Sequence, residues 1–356
     1  MSPIHDLVVK DDDLVVATHG RSFWVLDNLT PLRQVSANSA QTDFLLYQPQ
    51  VALRLHYPTE FDKRQPVGDN PPAGAMIDYY FKSAPKDEVT LDILDAQGKV
   101  VRHLSSKEKK GHEQPPEWPD RVQTPKTIPA NAGMNRYAWD LRYEDPVEIP
   151  GAFYSGDGPR GPLVLPGDYQ VKLTVAGKNQ TAPLHIAIDP RMKGAEAALQ
   201  KQFELSTQVR DRIAELHQAV NEIRSVKGQI QDLHKRFGDD QKLKPALAAA
   251  DDLNNKASEV EGQLMQVNMK SSEGNLVFPN MLNESFDTFS HTIDNADTAP
   301  TKPQDDVYQV LRGRLETELK KWAQLKAQAV PAVSELIKKA DLPAISLTAN
   351  VTPEKQ

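Results

Sequence analysis

His5-Asp6-Leu7-Val8-Val9-Lys10-Asp11-Asp12-Asp13-Leu14-Val15-Val16-Ala17-Thr18-His19-Gly20-Arg21-Ser22-Phe23-Trp24-Val25-Leu26-Asp27 is the stretch on which the reading of this chain turns. Apolar residues alternate through it and turn residues interrupt it. That pattern predicts three short antiparallel strands, near 4–9, 13–18 and 22–27. An acidic turn joins the first two, and His-Gly-Arg joins the second to the third. Three strands of this length cannot bury their own faces. They read as the last blade of a β-propeller whose other blades lie elsewhere, and the rest of the chain reads as the region downstream of such a blade.

Working outward, Asn28-Leu29-Thr30-Pro31-Leu32-Arg33 is an exit turn. Residues 44–57 alternate like strand, with Phe44, Leu46, Val51, Leu53 and Leu55 among the apolar positions. In a complete parent they are expected along the propeller surface, with several of them exposed in this chain as an aggregation liability. Residues 58–74 are rich in Pro and Gly and read as a linker. Strands are then expected at 75–82, 88–95, 100–104, 133–143, 167–175 and 182–188, the second and third joined by the Ala96-Gln97-Gly98-Lys99 turn. Six short strands separated by turns predict an immunoglobulin-like β-sandwich over 75–190. From Ala195 the texture becomes helical. Leu216, Ile223, Ile230 and Phe237 recur every seven residues, interleaved with Ile213 and Val220, while Lys227 and His234 break the stripe. This predicts a nearly straight helix of roughly 60 Å. Further helices are expected over 242–269, with a stripe that includes Val260, Leu264 and Val267, and over 280–295. A last one starts after Thr301-Lys302-Pro303, carries Val307, Leu311, Leu315 and Trp322, and bends near Pro331. One apolar stripe per helix predicts an antiparallel up-and-down bundle over 195–342.

Val15-Val16-Ala17-Thr18-His19-Gly20-Arg21-Ser22-Phe23-Trp24-Val25-Leu26-Asp27 resembles the closing blade of bacterial BNR-repeat proteins with a sortilin-type (VPS10-like) propeller, a group labelled glycosyl hydrolases. That resemblance implies a secreted or periplasmic parent in which an immunoglobulin-like domain and a helical tail come after the propeller. The aspartate box of such propellers, Ser-x-Asp-x-Gly-x-Thr-Trp, does not occur here. Gly133-Met134-Asn135-Arg136-Tyr137-Ala138-Trp139-Asp140, taken with Leu165-Pro166-Gly167-Asp168-Tyr169, resembles the Ig-like domain of flagellar-hook-capping proteins. In that fold the Trp and the Tyr are packing residues. The organisation expected is therefore α+β and multidomain: a blade remnant and exit segment at 1–60, a linker at 61–74, the sandwich at 75–190, the bundle at 195–342 and a flexible tail at 343–356.

Composition narrows the function classes. The chain has 356 residues, 39% apolar and 26% charged, with a net charge of −7. That length suits two or three domains. The negative charge argues against a general nucleic-acid binder. No apolar run reaches the ~20 residues that cross a bilayer, and no signal peptide is visible at the start. Strand material comes almost directly after Met1, so the chain reads as truncated or as part of a longer product. It has no cysteine, which removes disulfides, thiolate nucleophiles and zinc–thiolate sites together.

Candidate chemistry is sparse. His19 and Arg21 either face a propeller channel and hold an acidic group, or His19 caps a turn while Arg21 pairs with a neighbour such as Asp27; the second reading is preferred. Asp11, Asp12 and Asp13 are adjacent, so their side chains diverge, and the Asp-x-Asp-x-Asp-Gly spacing of a calcium loop is missing. A solvated turn is expected. The Gly/Pro loop 151–162 lacks the Gly-Lys-Ser/Thr ending of a phosphate loop and reads as an irregular connection. His217 and His234 lie on the long helix without a His-Glu-x-x-His arrangement and read as surface or inter-helix polar positions. No Gly-x-Ser-x-Gly elbow is present. No catalytic, cofactor-binding or metal residue is assigned, and no cofactor. The expectation is a non-catalytic accessory or interaction segment, whose partner is the upstream propeller, in the same polypeptide or in trans. The alternative is a glycosyl hydrolase-type hydrolase whose propeller active site is mostly absent from this chain.

Overall fold

A computed structural model describes residues 2–36, 41–55, 71–107, 127–154 and 158–340. Most of the expected linker, and the whole of the expected tail at 343–356, lie outside the described residues. The chain is α+β: strands fill its first half, and long helices its second. It forms two compact units. The first comprises Met1–Pro146, Pro159–Arg210 and Ser290–Lys302; the second comprises Val147–Gly158, Asp211–Phe289 and Pro303–Gln356.

The first unit opens with β1 (Ile4–Lys10), β2 (Asp13–Thr18) and β3 (Phe23–Leu26), paired antiparallel in sequence order as a sheet of their own. The turn after α1 (Thr30–Arg33) leads to β4 (Phe44–Leu46) and β5 (Ala52–Arg54). These two strands correct the expectation for part of 44–57, although Val51 and Leu53 are exposed as expected and residues 56 and 57 lie outside the described residues. β4 pairs antiparallel with β6 (Ala75–Phe81), and β5 pairs parallel with β11 (Lys178–Ile188), so Phe44, Leu46, Tyr47 and Ala52 are buried. The alternation is legible in the sequence, but the partner of β5 lies more than a hundred residues away.

Two sheets enclose one core. The larger has the order β5-β11-β10-β7-β8, with β7 (Val89–Leu94), β8 (Val100–Ser105) and β10 (Gly167–Val175). The smaller has the order β4-β6-β9, with β9 (Gly133–Trp139). β7, β9 and β10 bury alternate residues, as their period of two requires. Leu91, Ile93, Val171, Leu173, Leu184 and Ile186 are fully buried against Ile77, Tyr79, Phe81 and Trp139. Trp139 donates its indole N–H to the Arg142 carbonyl at 3.0 Å and meets the Tyr169 ring edge-on at 6.3 Å. β6 departs from simple alternation, because Met76 and Asp78 are buried too. Asp78 is covered by the exit segment: its carboxylate accepts from Arg136 at 2.7 Å and from Asn28 at 3.4 Å, and its carbonyl accepts from the Tyr47 amide. A buried carboxylate is tolerated because its acceptors are filled.

α2 (Glu196–Phe237) is a single helix of 42 residues. It contributes Glu196–Arg210 to the first unit and Asp211–Phe237 to the second. In the first unit Gln202 donates to the carbonyls of Ile293 and Ala296, and its side-chain oxygen accepts from Arg54.

In the second unit α2 packs with α3 (Lys244–Leu264), the first part of α4 (Leu282–Asp294) and α5 (Lys302–Lys339). α3 ends five residues before the expected 269. Met265 turns extended there (φ −146°, ψ 160°), and Val267, expected in the stripe, is exposed. The buried face of α5 is Tyr308, Leu311, Leu315, Trp322 and Val333. The expected Leu311, Leu315 and Trp322 lie on that face, whereas Tyr308 takes the place expected of Val307, which is exposed. α3 runs opposite to α2: His234 pairs with Asp251, whereas Arg224 and Lys227 pair with Glu261. α5 runs with α2, since Glu222 bonds Trp322 and Lys326 while Ile230 packs with Val333 further along both helices. Strict alternation of direction is therefore not what these contacts describe.

Candidate functional site

The sheet β1-β2-β3 is the most unusual surface of the chain. Opposed residues on adjacent antiparallel strands share a face. The register sets Leu7, Val16 and Trp24 in one row and Val9, Leu14 and Leu26 in the next, all on one face; Val8, Val15 and Val25 form a row on the other. Both faces are thus apolar. Every residue of β1 and β3 is exposed, with Phe23 at 74%, Ile4 at 63% and Trp24 at 61%. Isolated exposed apolar side chains are ordinary, but a contiguous two-faced patch marks an interaction surface.

The acidic turn forms the foot of this sheet. Asp13 accepts from the Asn28 amide at 2.9 Å, the Asp12 carbonyl accepts from the Leu29 amide at 2.6 Å, and the Asp12 carboxylate pairs with Arg33. Arg33 also donates to the Asp11 carbonyl at 2.8 Å, and Asp11 pairs with Lys10. The three carboxylates diverge as their adjacency dictates, but two of them anchor the exit segment, which a merely solvated turn does not do. Among the described residues no group of acidic and histidine side chains is arranged to hold a metal ion.

His19 lies in an exposed turn, its ring 5.2 Å from that of His5 and its amide donating to the Pro3 carbonyl. Arg21 does not pair with Asp27; among the described residues neither makes an ion pair, and the Arg21 carbonyl accepts the Trp24 indole N–H at 3.0 Å. His234 makes an exposed inter-helix contact with Asp251 at 2.7 Å.

His217 is buried, and sequence reasoning missed its surroundings. Its Nδ1 donates to the Val147 carbonyl, the Asn283 Oδ1 lies 2.8 Å from Nε2, and the Tyr154 hydroxyl lies 3.4 Å from the same nitrogen. Burial lowers the His217 pKa below its usual value, against the opposing effects of the Val147 and Asn283 bonds and of Asp287 and Glu148. Burial likewise pushes the Tyr154 hydroxyl up. One turn along, Asn221 donates to the Glu148 carbonyl at 2.9 Å, and Arg224 donates to the Pro150 carbonyl at 2.9 Å. Three side chains at i, i+4 and i+7 thus clasp the backbone of 147–150 along one helix face. Because they read main-chain carbonyls, no sequence motif in the clasped segment announces them. The His217 ring is thus held by the Val147 carbonyl, Asn283 and Tyr154, and together with Asn221 and Arg224 it fixes the backbone of 147–150.

The chain matches no protein-family model, no curated protein and no solved structure. Among the described residues no helix is long and apolar enough to cross a membrane.

Proposed function

We propose that this chain is a non-catalytic accessory or interaction segment of a secreted BNR/sortilin-like propeller protein. β1-β2-β3 serves as the last blade, and the two-sheet core and the helices serve as an Ig-like module and a bundle downstream of it. The observation that carries this reading is the two-faced apolar sheet. A sheet covered on one side needs one apolar face. Two apolar faces suit a layer stacked between two others, as each blade of a propeller is. The partner is then the body of the propeller, supplied in the same polypeptide or in trans.

The test is association. The chain and a separately expressed propeller segment of such a parent protein are mixed at micromolar concentration and analysed by size-exclusion chromatography with light scattering. A one-to-one complex, lost in the Phe23→Ser/Trp24→Ser double variant, supports the reading. Independent elution of the two parts at 50 μM or above refutes it.

A further inference from the structure

The two faces of the sheet β1-β2-β3 are alike, but its two edges are not. In an antiparallel ladder, successive residues turn their main-chain groups alternately towards the neighbouring strand and away from it. Thr18 donates its amide to the Ser22 carbonyl at 3.2 Å, and Val16 and Leu14 stand opposite Trp24 and Leu26. Ser22, Trp24 and Leu26 therefore face β2, while Phe23, Val25 and Asp27 turn their amides and carbonyls outward. On the far side of the sheet, Lys10 closes the hairpin against Asp13, so Val8 and Lys10 face β2 and Leu7 and Val9 turn outward.

The β1 edge is closed. Its outward Leu7 amide donates to the Asp6 carboxylate at 2.8 Å, the register shifts between Ile4 and Asp6, and Lys10 ends the strand. A capped amide, a bulge and a terminal charge are devices that stop another strand from adding. β3 carries none of them. Phe23-Trp24-Val25-Leu26 holds no charge, no proline and no register shift, and every one of its residues is exposed. Left-handed residues bound this edge, Ser22 at φ 59° and Asn28 at φ 63°. Arg21 stands just before it and Asp27 at its end, and among the described residues neither makes an ion pair.

From this asymmetry we infer that the β3 edge pairs with the β3 edge of a second copy of this chain, antiparallel and about a twofold axis at Trp24. A twofold axis sets a segment against itself in the opposite direction. Only outward-facing residues exchange hydrogen bonds across the new ladder. With Trp24 opposite its own copy, Phe23 meets Val25 of the second copy, and both have outward amides and carbonyls. The same register brings Arg21 to the level of Asp27 of the second copy, twice over by symmetry. A slip of two residues in either direction preserves the ladder but parts Arg21 from Asp27. Opposite charges thus select one of the registers that the main chain permits, and the two indoles form a cross-strand pair at its centre. The edge is a different surface from the two faces that the propeller reading stacks against other blades, so the inference stands or falls apart from that reading. An edge limited to 23–27 makes a small interface, and small interfaces are weak. The chain is therefore a monomer at low-micromolar concentration and pairs at several hundred micromolar.

The test is self-association of the full chain between 10 μM and 1 mM, measured by sedimentation equilibrium, with charge reversals at the two ends of the edge. The mean mass should rise from one chain towards two. Arg21→Asp sets two carboxylates opposite each other, and Asp27→Arg sets two guanidinium groups opposite each other, so each variant alone should associate at least fivefold more weakly. An equimolar mixture of the two variants should pair about as well as wild type, because each then meets its opposite charge at both ends. In wild type, hydrogen exchange of the Phe23 and Val25 amides should be slower at 1 mM than at 10 μM, with the Val9 amide unchanged. That comparison needs no variant and decides the matter if a reversed chain fails to fold. A single-chain mass up to 1 mM overturns the inference. So does association that the reversals leave unweakened, a mixture that pairs no better than its components, or slowing at Val9 instead of Val25. Protection of Phe23 and Val25 that comes only with an added propeller segment assigns the edge to a strand of that segment and overturns the second copy as its occupant.

Discussion

Replacing Arg54 by Met isolates the contribution of the most deeply buried ion pair described in the first unit. The Arg54 and Asp297 side chains are 4% and 6% exposed and meet at 2.5 Å. Arg54 also donates to Gln202 at 3.2 Å, and Gln202 holds the carbonyls of Ile293 and Ala296 at 2.8 and 2.6 Å. The pair therefore ties an edge strand to α2 and to the turn after α4. Arg54→Met leaves the Asp297 carboxylate in the same low-dielectric place without its guanidinium. Removing one partner of such a pair costs about 3–5 kcal/mol. At ~2–4 °C per kcal/mol for a unit of this size, the melting point of the first unit should fall by roughly 6–20 °C. The double variant Arg54→Met/Asp297→Leu removes both charges and should recover most of that loss, because apolar replacements of a buried pair are often close to neutral. Two compact units need not unfold together, so the assay is urea unfolding combined with native-state hydrogen exchange at the β5–β11 pairing. The loss should change little in 0.5 M salt, because a buried pair is poorly screened. A cost below about 1 kcal/mol for Arg54→Met, or a double variant whose cost equals the sum of the singles, refutes the reasoning.

Three further outcomes are expected. Burial holds the His217 pKa below its unfolded value of 6.5, so its contribution to stability is complete above pH 6.5 and declines as pH falls towards the folded pKa; urea midpoints of the second unit should drop between pH 7 and pH 5 more steeply in wild type than in His217→Gln. Glu261 works in the same direction at lower pH: burial raises its pKa, but the bonds from Arg224 and Lys227 prevail and hold it below 4.5, so Glu261→Gln should flatten the stability profile between pH 5 and 3. Trp139→Ala empties a fully buried site and deletes an indole hydrogen bond, which should cost about 3–5 kcal/mol in equilibrium unfolding of the first unit.

Much of the fold was legible because its periods are local. The alternation in β7, β9 and β10 and the seven-residue recurrence of Leu216, Ile223 and Ile230 emerge in the structure as buried faces. What escaped the sequence was non-local. Phe44 and Leu46 alternate like an exposed strand, yet they are buried because β6 lies beside them. Asp78 occupies a nominally outward position and is buried because Asn28 and Arg136 cover it. α3 ends at Leu264, two residues after Gly262, but no Gly or Pro directly follows it, so the apolar stripe continues in the sequence to Val267 although the helix does not. A small cleft lined by Arg142, Ser206, Arg210 and Asp294 gathers residues from distant parts of the sequence, each unremarkable in its own segment. The clasp at His217, Asn221 and Arg224 binds main-chain carbonyls and leaves no trace in the residues it holds. The apolar content of residues 4–26 is plain in the sequence, but the two exposed faces required the register.

Hydrogen exchange across residues 4–26, with and without the propeller segment, tests the central claim most directly. The account predicts fast exchange in the isolated chain, where β1 and β3 are exposed throughout, and at least tenfold slowing when the propeller segment is added. β4 and β5, paired inside the two-sheet core, should be protected in both samples and serve as the internal reference. Slow exchange of residues 4–26 in the isolated chain, unchanged by the propeller segment, would contradict the account.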